Sequence, residues 1–130
     1  MKRTLFVFIA ATVFVGTLYA HHSFTATYDT SKTVTIEGKV TQFLLRNPHS
    51  FLHIAVIGKD GKAETWNIEW AAAGQLGGTG VTRDALKVGD PVVITGNPAR
   101  DPADQRLRMV TVKRTSDGFN WGFRPGQTVD

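Results

Sequence analysis

The sequence predicts an all-β chain, a small five-stranded barrel in which a short helical or irregular connection joins the third strand to the fourth. Three observations predict it. Five stretches alternate apolar and polar side chains with the period of two that marks a half-buried strand. The segments that separate most of them, "RNPH", "GKDGK" and "RDPADQ", carry the Gly, Pro and Asp of turns. The longest gap, "AAAGQLGGTGVTRDALKVGD", has no strand period and many glycines.

The amino terminus reads as an address. Lys2 and Arg3 precede "TLFVFIAATVFVGTLYA", a basic start, an apolar stretch and a small-residue end. That is the pattern of a secretory signal peptide, here residues 1–20 with cleavage after Ala20. An apolar run of about a dozen residues is short of the roughly 20 that span a membrane. The expectation is a periplasmic or secreted protein with no stable membrane span after cleavage. Residues 21–114 would then form the barrel and residues 115–130 a loosely ordered tail. In that tail, Phe119, Trp121 and Phe123 are spaced to pack back across it.

In "TVTIEGKVTQFLL" Val34, Ile36 and Val40 share one face, and Gly38 on that face suggests a bend. Proline in "RNPH" ends the strand, because it lacks a donor and restricts Asn47. "SFLHIAVIG" sets Leu52, Ile54 and Val56 against Phe51, His53 and Ala55; "AETWNIEW" follows with Trp66, Ile68 and Trp70 on one face, the two forming a hairpin. In the long connection "TRDALK" is the expected helical turn, capped by Thr82. "PVVITGNPA" is the fourth strand and "LRMVTVKR" the fifth, with Leu107, Met109, Thr111 and Lys113 on one face. This order matches the oligonucleotide/oligosaccharide-binding (OB) barrel, with a small sandwich as the alternative.

Composition excludes several kinds of chemistry. There is no cysteine, so disulfides, iron–sulfur clusters and thiolate zinc sites are out. The net charge of +4 falls to +2 once Lys2 and Arg3 are removed, which argues against a nucleic-acid partner. No exposed strand shows the aromatic–basic interleaving of single-strand binders. Neither Ser23 nor Ser50 sits in a nucleophile elbow, and "GGTG" lacks the lysine and serine of a phosphate loop. Glu64 and Glu69 do not pair as glycosidase carboxylates; Glu69 reads as an outward strand residue, and Trp66 and Trp70 as core. A binding role is expected rather than catalysis.

The four histidines fall in two short segments, "HHSF" and "NPHSFLHI". Cleavage after Ala20 makes His21 the first residue, whose free amine and imidazole form a two-nitrogen chelate. A third imidazole would complete a site suited to Cu(II), which favours tetragonal nitrogen coordination. His49, in the loop, is the favoured third ligand. His22 and His53 are weaker candidates, the first because adjacent side chains diverge and the second because it alternates as a strand residue. Glu69 or Asp29 could add a carboxylate, and nothing in the spacing selects one.

"HHSF" after a signal peptide, then "VTIEGKVTQF", "NPH", "WNIEW" and "LKVGDPVVITGNPAR", resemble DUF6152, a family of small exported bacterial proteins of unknown function. The resemblance covers roughly residues 21–113 and implies envelope residence and a compact barrel-like domain. It assigns no activity, substrate or cofactor. The stretch "AAAGQLGGTGV" departs from the family pattern. The expectation is an exported barrel with copper as candidate cofactor. The alternative is a metal-free module for an envelope protein, a glycan or a small ligand.

Overall fold

The structure is a computed structural model that describes residues 24–122. The predicted signal peptide, His21, His22 and Phe123 lie outside the described residues. The five expected strands are present as β1 (Val34–Leu44), β2 (Phe51–Ile57), β3 (Ala63–Glu69), β4 (Pro91–Pro98) and β5 (Arg106–Arg114). A further strand, β6 (Asn120–Trp121), pairs with the end of β5.

The sheet runs β3-β2-β1-β4-β5-β6, and β3 also pairs with β5, which closes five strands into a barrel. All pairings are antiparallel except this closing one, which is parallel and joins Asn67 to Arg106, Ile68 to Leu107 and Glu69 to Arg108. The length of β1 makes closure possible. Its first half pairs with β4 from Val34↔Gly96 to Lys39↔Pro91, and its second half with β2 from Lys39↔Ala55 to Leu44↔Phe51. Between these halves Gly38 approaches β2 so closely that a Cβ would collide with the Ala55 carbonyl oxygen. The expected bend is therefore a close backbone approach that glycine alone accommodates.

The barrel is filled by Val40, Leu52, Ile54, Ile68, Trp70 and Leu107, on the faces that the alternation assigns, and by Ile94 and Val112. Two irregularities shift the phase. A bulge between Val40 and Gln42 brings Phe43 to the core side, and a register shift opposite Thr95/Gly96 leaves Val110 out, as expected, and turns Val112 in. The expected inner row of β5 therefore holds for Leu107 and Met109 and then passes to Val112, because a bulge adds one residue to one strand and resets the period of two.

The connection from β3 to β4 contains the expected helical element at a different place. The helix α1 is Ala73–Gly78, whereas the "TRDALK" stretch makes a turn in which Ala85 N donates to Thr82 O. Tertiary contacts override the poor helix propensity of the glycines. Leu76 is buried in the core, the Ala73 amide donates to Arg46 O, and the Gly74 amide donates to Asn47 Oδ1. The helix start is thus tied to the loop between β1 and β2. Among the described residues no helix is long and apolar enough to cross a membrane.

Candidate ligand site at the seam of the barrel

The site forms where β3 closes onto β5. Glu69 is the last residue of β3 and faces outward, with Phe51 opposite it on β2 and Arg108 opposite it on β5. The loop between β1 and β2, in which the Asn47–Pro48 peptide is cis, runs over this corner. Its end is pinned by Ser50, fully buried, whose hydroxyl accepts from Arg46 N and donates to Arg46 O, both at 3.2 Å. The Ser50 backbone adds bonds to Ala71 O and from Trp70 N. So anchored, the loop brings His49 Nδ1 to 3.3 Å from Glu69 Oε1.

The segment after "HHS" closes the other side. Phe24 to Tyr28 form a helical turn, closed by Tyr28 N donating to Phe24 O at 2.8 Å. It lies along the loop after β4: Tyr28 bridges Ala99, the Arg100 amide donates to Thr27 O, and Arg100 Nε donates to Thr25 O. Tyr28 is buried, and its hydroxyl donates to Glu69 Oε2 at 2.6 Å. Burial first, and then the Glu69 hydrogen bond, hold the phenol well above its ordinary range, because ionisation would put two negative charges together out of water. Arg106 stands 3.8 Å from the same carboxylate oxygen, its guanidinium over the Tyr28 ring. Three groups therefore engage one carboxylate whose side chain is only 13 % exposed.

Beside this cluster lies a cavity of about 300 Å³. Phe24, Trp70, Trp121, Met109 and Pro48 form its apolar walls; His49, Glu69, Gln75 and Arg108 are its polar groups. Trp121 meets Trp70 edge-on at 5.1 Å, and its indole N–H donates to Thr79 Oγ1, so β6 supplies one wall. Phe24 meets His49 edge-on at 5.1 Å and carries the Arg108 guanidinium on its face at 4.6 Å.

Of the expected ligands, His49 is at this corner and His53 is not: on β2 it stands opposite Asn67, away from the cavity. His21 and His22 lie outside the described residues. Asp29 is engaged in its own turn, by the Ser31 hydroxyl at 2.6 Å and Lys32 at 2.9 Å, which lower its carboxyl to about 2. Glu69, expected to be a plain outward carboxylate, is instead the centre of the cluster. Nothing in the local sequence of Tyr28, Phe24, Arg106 or Arg108 marks them for this corner. Among the described residues no group of three or more His, Asp or Glu side chains could hold a metal by itself.

The model of the family of unknown function DUF6152 matches residues 10–108. No curated protein matches the chain. Among solved structures, two crystal forms of Rim1, the mitochondrial single-stranded DNA-binding protein of S. cerevisiae, are similar, at 17% and 16% identity and a TM-score of 0.50 each. The matches cover 67% and 68% of this chain and 96% and 97% of Rim1. At that identity the likeness shows the fold, an OB barrel.

This finding corrects the expectation of no nucleic-acid partner. Structures that share the fold are of single-stranded DNA-binding proteins, so composition and a small net charge do not exclude nucleic acid. The physical reason for the error is visible at the seam. Aromatic and basic side chains meet across strands here, which the alternation along one strand does not reveal: Arg46 lies over the Phe51 ring at 5.1 Å and Arg108 over the Phe24 ring at 4.6 Å.

Proposed function

The chain belongs to DUF6152, a family of unknown function, and from that premise we propose that it is an exported barrel holding one Cu(II) ion at the His49 corner of the cavity. The single observation that carries the reading is the packing of Phe24 on His49. Phe24 is three residues after His21, and three residues of chain reach at most about 11 Å. Cleavage after Ala20 would therefore tether a free amine and its imidazole near the one histidine that lines the cavity.

In this arrangement the His21 amine and imidazole supply two nitrogens and His49 the third, a donor set suited to Cu(II). The Nδ1 edge of His49 faces Glu69, so Nε2 is the nitrogen left to the metal. A carboxylate in that position commonly orients a ligating imidazole. The role is storage, delivery or sensing of the metal in the envelope.

The test is intact mass followed by copper titration on protein recovered from the cell envelope. The expected result is a chain that begins at His21, binds one Cu(II), and loses it in His49→Ala. A different first residue, or affinity no greater than that of the denatured chain, would overturn the reading.

The cavity favours a second reading, a metal-free envelope module for a protein, glycan or small ligand. Its volume of about 300 Å³ is at the lower end of small-ligand pockets, and its apolar walls with a few convergent polar groups fit that class. Partner recovery from envelope extracts that survives replacement of His21 and His49 by alanine would support it; loss would count against it.

A further inference from the structure

We infer that the cavity takes a small organic carboxylate with a flat apolar body, its carboxylate gripped by Arg108. The inference rests on the second reading, in which the cavity is a ligand site, and requires no metal.

Charge carries the argument. Glu69 is already engaged by the Tyr28 hydroxyl, His49 and Arg106. Arg108, its neighbour across the seam, is not so engaged. Among the described residues no carboxylate lies within ion-pair distance of the Arg108 guanidinium, which rests on the Phe24 ring. Arg106 is matched by Glu69 and by Asp104, at 3.8 and 3.7 Å, and Arg108, the guanidinium without a carboxylate, lines the cavity. A guanidinium fixed by stacking on a ring presents a planar fork of N–H donors, the geometry that matches a carboxylate bidentately. An organic cation entering here would find Glu69 already engaged and no free counter-charge. A neutral molecule would leave the guanidinium without a counter-charge in a half-enclosed space.

Gln75 supplies a second donor. Its Oε1 accepts from the Ala72 amide at 3.4 Å, which leaves its side-chain NH₂ available on the cavity wall. The remaining walls, Trp70, Trp121 and Phe24, offer ring faces and edges to a flat body. An aliphatic dicarboxylate would waste them and place its second charge against Glu69. The fit is a small aromatic monocarboxylate.

The experiment follows tryptophan fluorescence of the full-length expression product, recovered from the envelope and stripped of metal, during titration with benzoate, benzamide and benzyl alcohol. Benzoate is expected to give a saturable change, with the two neutral probes at least about tenfold weaker. Arg108→Gln should weaken benzoate at least about tenfold and leave the neutral probes unchanged, with Arg108→Lys intermediate. If Arg108→Gln does not fold, the benzoate-to-benzamide ratio in the unaltered protein decides the matter alone. Equal affinity for benzoate and benzamide would overturn the carboxylate inference and leave the cavity reading standing. No saturable response to any probe would overturn both.

Discussion

The Tyr28 hydroxyl donates to Glu69 Oε2 across 2.6 Å, linking positions 41 residues apart. The bond ties the segment before β1 to the end of β3, at the seam that closes the barrel. A hydrogen bond to a charged group contributes about 1.5–3 kcal/mol. Tyr28→Phe keeps the buried ring and removes only this donor. Urea denaturation of Tyr28→Phe should therefore show a loss of that size, and a loss below about 0.5 kcal/mol would mean the bond is replaced by solvent.

The same pair predicts an alkaline limit. Burial and Glu69 raise the native phenol above the 10.0 of an ordinary tyrosine. A group whose native value is raised contributes stability that is fully present below its unfolded value and is lost as pH rises toward the native one. Unfolding free energy should fall above about pH 10, and Tyr28→Phe should flatten that fall. An unchanged slope would sink the assignment.

On the acid side the relevant group is Asp117. Arg114 Nε and Nη2 donate to its two oxygens at 2.8 Å each, and chiefly this pairing lowers the carboxyl from 3.8 to about 2. Its contribution is complete above pH about 4 and is lost as pH falls through about 2. Asp117→Asn should make the decline between those values shallower in acid titrations of stability. Asp29, lowered by Ser31 and Lys32, should keep its own share of the decline in that variant.

Gly38 tests the shape of the barrel. A methyl group there would meet the Ala55 carbonyl and the Val56 side chain, and neither can withdraw without disturbing β2. Gly38→Ala should cost about 1–3 kcal/mol, as overpacking does. Chemical denaturation should show the midpoint lowered with the slope unchanged. A stability within error of the parent would mean that the two strands can part there freely.

The strands were legible because each carries its own period of two, and the hairpin of β2 and β3 because "GKDGK" joins them. The phase of β5 beyond Met109 was not, since a bulge leaves no mark in the alternation of "LRMVTVKR". Helix α1 leaves no mark in its own sequence, because contacts from Arg46 and Asn47, far away in sequence, hold it together. His49 could be picked out as a loop residue that reaches the amino-terminal segment. Glu69 could not, because its meaning lies in Tyr28, Arg106 and Arg108, and only the closing of β3 onto β5 brings them there.

That closing pairing spans Asn67 to Glu69 against Arg106 to Arg108. A barrel seam so short is the place where the cylinder would first gape, and the candidate site straddles it. Anything held between the Glu69 cluster and Arg108 works as a clasp on a hoop. Occupancy would then be read in time as well as in affinity: the amides of Ile68 and Leu107 should exchange their hydrogens more slowly whenever the clasp is shut.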